Sequence, residues 1–363
     1  MVSIAFSGGG TGGHIYPGLA VAAHLEKLTG CRIFWIGSKT GIDRAIVEKA
    51  GLEFFGISSG KLRREINFRN LVDIFKVMAG FFGARRILRR EKPALLFSKG
   101  GFVSVPPCAA AASLHIPVCT HESDYSPGLA TRLNARFAGI IFTAYEETAA
   151  FFPPAARTKL RVLGNPVRPE FHGAGPERGR AFLGLGPGER ILLVLGGSLG
   201  ARQLNELVRE SLPELTRHYT VVHQTGPQSN WDIPAGERYR PYPFIYDEMP
   251  QVVAAAELVL CRSGAGTIWE CAALGKPMIL VPLAGSGTRG DQVENARHFQ
   301  RAGAAEVLTG EAVQAATLAA LVARLAGDEA RRRSMGEAAS RFAGADAAAL
   351  IAAVLRDEIK DRL

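Results

Sequence analysis

Residues 8–13 read Gly-Gly-Gly-Thr-Gly-Gly and are followed by His14. They lie between an apolar run, 1–6, typical of a buried β-strand, and an apolar segment, 19–25, typical of a helix. The glycines leave the backbone amides uncovered by side chains, and the start of a helix favours anions. The segment therefore predicts a phosphate-binding turn with a histidine at its edge. A tight connection without a ligand, and a structural histidine, are the alternatives.

The same arrangement recurs in the second half of the chain. The apolar run 191–195 leads into the glycine-rich stretch 196–202, and the run 258–261 leads into Arg-Ser-Gly-Ala-Gly-Thr at 262–267. Neither these turns nor the first one contains the Gly-Lys-Ser/Thr of a P-loop. The first turn also differs from the dinucleotide-binding pattern, in which an acidic residue stands at the end of the next strand. The sequence thus predicts anion-binding turns of another kind in both halves.

The elements that must position these turns alternate between short apolar strands and helices. This alternation predicts an α/β protein with doubly wound parallel sheets, whose ligands bind at the carboxyl ends of the strands. The length of 363 residues favours two domains. We expect the domains at 1–163 and 164–340, with a C-terminal helix at 341–363 that packs back on the first.

Composition restricts the class of protein further. The formal charge of +9 favours an acidic partner such as a phosphorylated substrate or an anionic lipid. The five cysteines lack metal-ligand spacing and read as buried thiols. We find no signal peptide and no stretch of about 18 apolar residues that would span a bilayer.

One segment, 68–90, combines helically spaced apolar residues with a basic cluster at 85–90. This combination predicts a helix that lies on an anionic membrane surface. A core helix with a solvated basic end is the alternative. Nucleic acid is disfavoured as a partner because no nucleic-acid-binding motif accompanies the charge.

Several short motifs follow one another along about residues 1–310. The set comprises Gly9–His14 with Pro17–Ala20, Gly100–Ser104, His121-Glu122, Gly164–Arg168, Gly196–Ser198, Arg262–Glu270, Asp291-Gln292 and Asn295-Ala296. In this combination the chain resembles the MurG family of bacterial peptidoglycan glycosyltransferases. The resemblance implies the GT-B fold, which consists of two Rossmann-like domains with the active site in the cleft between them.

The resemblance also implies an activity and a location. Members transfer N-acetylglucosamine from UDP-N-acetylglucosamine to the C4 hydroxyl of undecaprenyl-pyrophosphoryl-N-acetylmuramyl-pentapeptide (lipid I), with inversion, to form lipid II. We therefore expect a hexosyltransferase of cell-wall biogenesis that is peripheral to the cytoplasmic face of the cell membrane, where other cell-wall enzymes are conceivable partners. A related GT-B glycolipid glycosyltransferase, a UDP-sugar epimerase and a non-catalytic scaffold remain as alternatives.

The family's functional residues map onto matching positions of this chain. The donor UDP-N-acetylglucosamine is expected at Arg168, Ser198, Ile245, Tyr246, Ala265, Gly266, Thr267, Glu270, Asp291 and Gln292. The acceptor is expected at Gly10, Thr11, Gly12, Gly13, His14, Gly100, Gly101 and Asp124. The amides that open the helix after 264 suit the diphosphate, and Glu270 suits the ribose diol.

Inverting transfer needs a base for the acceptor proton, and His14 is our first choice because imidazole titrates near neutral pH. Glu122 and Asp124 are the competitors. The chain contains no Asp-x-Asp pair for a divalent metal, so we expect the leaving group to be stabilised without a metal. We expect no cofactor either. Three positions depart from the family pattern. Asp124 replaces Asn, Leu199 replaces Gln, and Asp291 replaces the commoner Gln or His.

Overall fold

The computed structural model describes residues 2–60, 68–197, 200–285 and 288–362. These residues form two compact units, one of Met1–Arg168 with Ala345–Leu363 and the other of Pro169–Gly344. The division therefore falls a few residues beyond each of the two boundaries expected from the sequence.

The first unit is built on a seven-stranded sheet of described residues. Its strands are β1 (Ser3–Ser7), β2 (Arg32–Ser38), β3 (Glu53–Ile57), β4 (Leu95–Ser98), β5 (Val118–Glu122), β6 (Ile140–Thr143) and β7 (Leu160–Val162). Its helices begin with α1 (Gly12–Thr29), α2 (Asp43–Lys49), α3 (Phe68–Glu91), α4 (Val105–Ser113), α5 (Leu129–Asn134) and α6 (Pro154–Arg157). Neighbouring strands pair in parallel in the order β3-β2-β1-β4-β5-β6-β7.

The second unit repeats this plan with six strands among the described residues. They are β8 (Ile191–Leu195), β9 (Thr220–Gln224), β10 (Tyr239–Tyr242), β11 (Leu258–Cys261), β12 (Met278–Leu280) and β13 (Ala305–Val307). The helices are α7 (Pro176–Leu183), α8 (Arg202–His218), α9 (Met249–Ala255), α10 (Ala265–Ala273), α11 (Asp291–Arg301), α12 (Ala315–Gly327) and α13 (Glu329–Phe342). The parallel order is β10-β9-β8-β11-β12-β13. The predicted pair of doubly wound parallel-sheet domains is thus confirmed.

Apolar side chains cover both faces of the first sheet, which explains why its strands read as continuous apolar runs. On β1, Ile4 and Phe6 point to one face and Ala5 to the other, because side chains alternate along a strand. The Ile4 face packs against α1, and the Ala5 face packs against residues of α3 and α4 such as Leu88 and Cys108. The sheet is therefore rigid enough to hold the turns at its edge in place.

A final helix, α14 (Ala347–Ile359), packs against α1 with Ile351 and Leu355 buried. By length and composition, 329–359 is the one stretch of the described chain that could cross a membrane, which our reading of the sequence overlooked. The structure divides this stretch into α13 and α14, which belong to different units and each bury a face. The stretch thus has the features of two core helices.

The structure differs from the sequence-based expectations at two kinds of place. Helix α1 begins at Gly12, seven residues before the expected start, because burial of Ile15, Pro17 and Gly18 outweighs the poor helix propensity of this segment. Strands β7, β10 and β13 were not expected. Each lies at a sheet edge and carries a charged residue, so it lacks the apolar signal of a central strand.

Candidate functional site

The glycine-rich turns lie at the switch point of each sheet, where ligands bind in doubly wound folds. In the first sheet, β1 is flanked by β2 and β4, so the turns after β1 and β4 are neighbours. In the second sheet, β8 is flanked by β9 and β11, and Leu195 pairs with Cys261, so the two strand ends that lead into the glycine-rich stretches lie side by side. The structure therefore provides one candidate site in each domain.

The two turns of the first domain approach each other too closely for side chains. Gly10, Gly100 and Gly101 have φ angles of +86°, +84° and +77°, in the region that favours glycine. A Cβ on Gly101 would lie 2.7 Å from the carbonyl oxygen of Gly9 and 2.9 Å from Cδ2 of His14. Glycine at 101 is thus required by both the backbone and the neighbouring ring.

His14 lies in the first turn of α1, and its backbone amide donates to the carbonyl of Thr11 at 3.1 Å. The side chain is half-buried and its ring lies against Gly100 and Gly101. Three of the other predicted acceptor residues, Gly10, Thr11 and Gly13, are exposed. The structure thus brings together the imidazole and both glycine turns on one accessible edge.

Asp43 anchors the first turn, a role that the sequence analysis missed. Its buried carboxylate accepts a hydrogen bond from the amide of Gly10 at 2.9 Å and from that of Ser38 at 3.0 Å. A Cβ on Gly9 would lie 1.9 Å from Oδ2 of Asp43, so this glycine gives the carboxylate its space. The only available signal was an acidic residue that opens a helix after the neighbouring strand.

Trp35 on β2 supports the same turn from below. Its indole Nε1 donates to the carbonyl oxygen of Gly8 at 2.9 Å, and its ring is fully buried. A Cβ on Gly18 would lie 2.6 Å from that ring. An aromatic residue in a buried strand looks like any other core residue, so nothing in the sequence distinguishes this role.

Glu122, a competitor for the role of base, is engaged with the backbone of its own loop. One carboxylate oxygen accepts from the amides of Ser123 at 2.9 Å and Asp124 at 3.0 Å, and the other accepts from Gly128 at 3.0 Å. These bonds hold the loop that follows β5. The geometry therefore favours a structural role for Glu122 over proton transfer.

His121 is a second histidine of this edge, and it is enclosed. Its Nε2 lies 2.9 Å from the carbonyl oxygen of Gly164, so this nitrogen carries the proton that is donated. Burial, reinforced by the nearby charge of Lys99, holds the pKa of His121 well below its usual value. The neutral, buried ring of His121 is unsuited to contact a substrate, which leaves His14 as the accessible imidazole.

In the second domain, α10 presents the predicted donor residues from its first turns. Gly264 occupies the N-cap position, and Ala265 is buried. Gly266, Thr267 and Glu270 are half-buried and lie on one side of the helix, because residues three and four apart are neighbours. The amide end of α10 and the carboxylate of Glu270 are therefore accessible from the same side.

Helix α11 is tied to α10 at this end. Ser263 Oγ donates to the carbonyl of Gln292 at 2.7 Å, and the side-chain amide of Asn295 donates to the carbonyl of Ser263 at 3.1 Å. Gln292 is itself partly engaged, since its Oε1 accepts from the amide of Leu283 at 2.9 Å. Asp291 forms an ion pair of 3.1 Å with Arg289 and is the first residue of α11, after Gly290 at the N-cap position.

Gln224, at the end of β9, organises the remaining part of this site. Its Oε1 accepts from the amide of Ile245 at 3.0 Å, and its Nε2 donates to the carbonyl of Gly197 at 3.4 Å. Ile245 is buried, whereas Tyr246 is 68% exposed. Gln224 thus links two predicted donor segments that are far apart in the chain, a role that sequence reasoning missed.

Ser198, like the departure at Leu199, lies outside the described residues. Arg168 lies in the first unit and not in the donor domain to which we assigned it, and its guanidinium stacks on the ring of Tyr16 at 5.1 Å. This stacking holds Arg168 beside the first turns of α1.

Comparison with known proteins agrees with this architecture. Residues 4–143 match the glycosyltransferase family 28 N-terminal domain, and residues 191–351 match the glycosyltransferase family 28 C-terminal domain. The chain is similar to a UDP-N-acetylglucosamine–N-acetylmuramyl-(pentapeptide) pyrophosphoryl-undecaprenol N-acetylglucosamine transferase of Treponema denticola. The two are 49% identical, with 98% of this chain and 97% of the relative covered.

Two further relatives extend the comparison. The enzyme of the same name from Shouchella clausii is 42% identical, with 99% of this chain and 100% of the relative covered. The crystal structure of Acinetobacter baumannii MurG is 26% identical and superimposes with a TM-score of 0.76, covering 98% of this chain and 100% of that one. The similarity thus extends over both domains.

Proposed function

Because this chain belongs to the MurG family of glycosyltransferases, we infer that it transfers N-acetylglucosamine from UDP-N-acetylglucosamine to N-acetylmuramyl-(pentapeptide) pyrophosphoryl-undecaprenol. The acceptor is lipid I and the product is lipid II, a precursor of peptidoglycan. The observation that carries this function is the 49% identity over 98% of the chain to an enzyme of that name. The glycine-rich turns at both switch points give the reaction its two phosphate sites.

The donor is assigned to the second domain. The amides of Ala265, Gly266 and Thr267 open α10, so they and the helix dipole stabilise the diphosphate of the leaving group. Glu270, one turn further, accepts two hydrogen bonds from the ribose diol. The backbone of Ile245 and Tyr246 contacts the uracil, and Gln224 holds this segment in place.

The remaining donor contacts involve the sugar and the phosphates. Asp291 and Gln292 lie at the start of α11 and contact the hydroxyls of N-acetylglucosamine. Arg168 and Ser198 add donors to the diphosphate. The ion pair of Asp291 with Arg289 supports this role, since it restricts the carboxylate to one position.

The acceptor is assigned to the first domain. Its pyrophosphate binds the amides of Gly10, Thr11, Gly12 and Gly13, with Gly100 and Gly101 beside them, and Asp124 contributes from the loop after β5. Asp43 and Trp35 support this role because they fix the first turn before the ligand arrives.

In the transfer step, the acceptor C4 oxygen bonds to C1 of N-acetylglucosamine while the bond from C1 to the β-phosphate oxygen breaks. The proton of the C4 hydroxyl moves to His14, and the electron pair leaves with UDP, so the configuration at C1 is inverted. The half-buried ring of His14 beside Gly100 and Gly101 supports its role as the base.

Helix α3 provides a surface for the membrane that carries the acceptor. Phe75, Met78 and Phe82 are more than half exposed, and they share one stripe of the helix with the exposed Arg86 and Arg89. The opposite side, with Ala84 and Leu88, is buried in the core. An apolar stripe that continues into arginines suits the interface of an anionic bilayer. We therefore place the enzyme at the cytoplasmic face of the membrane as a peripheral protein.

The test is transfer of labelled N-acetylglucosamine from UDP-N-acetylglucosamine to a soluble lipid I analogue, without added metal. We expect labelled product with inverted configuration at C1. His14→Ala should lower kcat by about 100-fold or more and leave UDP-N-acetylglucosamine binding unchanged. Absence of product from the wild-type protein, with or without divalent ions, would contradict the proposed function. Normal turnover of His14→Ala would contradict the role of His14 alone.

A further inference from the structure

Lys99 is an enclosed lysine directly behind the proposed acceptor turn. It follows β4, its backbone amide donates to the carbonyl of Ser7 at 2.7 Å, and only 1% of the residue is exposed. A Cβ on Gly8 would lie 3.2 Å from Cβ of Lys99, and a Cβ on Gly18 would lie 3.6 Å from it. The side chain therefore starts in contact with the backbone that forms the phosphate turn.

The ammonium group begins a directed chain of hydrogen bonds. Nζ of Lys99 donates to Oγ of Ser123, and this hydroxyl donates to Oδ1 of Asn165 at 2.8 Å. The direction is fixed, because an ammonium group has no acceptor and the serine must use its own proton for the amide oxygen. The chain ties β4 to the loop after β5 and to the segment at 164–168.

Keeping Lys99 charged in the folded protein lowers the stability of the fold. Burial lowers the pKa of Lys99 to about 8, whereas the carboxylates of Glu122 and Asp124 act in the opposite direction. Enclosing an ammonium group disfavours folding, and an apolar side chain of similar size would avoid that cost. Methionine would avoid this cost but could not donate to Ser123, so the hydrogen bond and the charge together distinguish lysine at this position.

We propose that Lys99 is a positioning residue for the acceptor. Through Ser123 its ammonium group fixes the loop at 121–124, and its Cβ lies beside the backbone that leads into the turn at 8–13. This inference rests on the proposed function, which assigns the acceptor pyrophosphate to that turn. A charge enclosed in protein is screened less by water and salt than the charge of a surface lysine, so its attraction for the acceptor phosphates persists at physiological salt.

The experiment measures steady-state kinetics of Lys99→Met with a lipid I analogue and with UDP-N-acetylglucosamine. We expect the acceptor KM to rise about tenfold or more, while the donor KM stays within about twofold. An unchanged acceptor KM in an active, folded variant would overturn the inference. Because the wild-type protein is assayed in parallel, a failure of the proposed function is seen separately as absence of product from both proteins.

Lys276→Met is the matched control. Lys276 is also a largely buried lysine whose pKa is lowered to about 8 by burial, but its ammonium group donates to the backbone carbonyls of Ala254 and Ala256 in the second domain. Its replacement should leave the acceptor KM unchanged. An equal rise in acceptor KM in both variants would show a general effect of lost stability and would overturn the specific role of Lys99.

If Lys99→Met does not fold, a measurement on the wild-type protein tests whether Lys99 positions the acceptor. The charged and titratable groups that face Lys99 are Glu122, Asp124 and His121, and His121 is already neutral at pH 7.5. We expect the acceptor KM to rise several-fold between pH 7.5 and 9.5, as Lys99 loses its proton, with little change in the donor KM. An acceptor KM that is flat over this range would overturn the inference.

Discussion

The indole nitrogen of Trp35 donates a hydrogen bond of 2.9 Å to the carbonyl oxygen of Gly8, which joins β2 to the turn that carries the proposed acceptor site. Trp35→Phe removes the donor and leaves the buried carbonyl unsatisfied. We expect a loss of about 2 to 4 kcal/mol in the free energy of unfolding and a higher acceptor KM. Thermal unfolding and kinetics of the same preparation measure both.

Phe142→Leu serves as the control for this change. Phe142 is fully buried on β6, in the same core cluster but away from the turn. Phe142→Leu should lower the free energy of unfolding without a change in the acceptor KM. A Trp35→Phe variant with wild-type acceptor KM would show that the indole hydrogen bond does not position the turn.

Glu122→Gln distinguishes a loop anchor from a base. Glutamine retains one acceptor oxygen, so at least one of the amides of Ser123, Asp124 and Gly128 loses its partner. We expect a higher acceptor KM and a modest effect on kcat, measured with saturating lipid I analogue. Loss of about 100-fold or more in kcat, the effect typical of a missing base, would instead favour Glu122 over His14. The exposed Glu146→Gln is the matched control.

Glu270→Gln tests the proposed ribose contact on α10. A neutral amide accepts hydrogen bonds less strongly than a carboxylate, so we expect the donor KM to rise about tenfold with the acceptor KM unchanged. Glu329→Gln, at an exposed position that begins α13, controls for the loss of one negative charge. An unchanged Kd for UDP in Glu270→Gln would remove this residue from the donor site.

The pH dependence of stability has a defined sign for Lys99. The pKa of Lys99 is about 8 in the folded protein and lies near 10.5 in the unfolded chain. Between these values the unfolded state binds more protons, so this lysine makes the free energy of unfolding increase with pH. Lys99→Met lacks this titration. From pH 7.5 to 10.5, the free energy of unfolding of the wild-type protein should therefore rise by about 3 kcal/mol relative to that of Lys99→Met.

Denaturant unfolding at several pH values measures this difference. Acceptor affinity should change in the opposite direction over the same range, because the charged form that costs stability is the one that attracts phosphate. Equal pH slopes of stability in the variant and the wild-type protein would show that Lys99 is not enclosed in the folded state.

Membrane association should depend on the exposed stripe of α3. Phe75→Ser combined with Phe82→Ser removes two side chains that are 63% and 62% exposed, and we expect weaker binding to vesicles that contain anionic lipid. Turnover of a soluble lipid I analogue should not change. Leu28→Ser, at a position on α1 that is 47% exposed, is the matched control. Equal vesicle binding by the wild-type protein, the Phe75→Ser/Phe82→Ser variant and Leu28→Ser would exclude this stripe as the membrane contact.

The sequence by itself determined the fold class and the reaction class. Central strands such as β1 and β8 are buried on both faces, so they appear as apolar runs of strand length. Several glycines of these turns, such as Gly9, Gly10, Gly101 and Gly196, are required because a Cβ there would lie less than 3 Å from another atom. Clusters of glycine at strand ends are therefore recognisable in the sequence alone. Features of this kind depend on consecutive residues, so the sequence alone shows them.

Tertiary structure alone decided which side chains hold the turns in place. Asp43, Trp35, Gln224 and Lys99 lie far along the chain from the segments that they support, and their local sequence does not identify those partners. It also decided that Glu122 serves the backbone of its loop while His14 stays accessible beside the glycines. The physical reason is that these roles depend on strand order, which brings the end of β1 beside the end of β4, and no spacing in the sequence records that order.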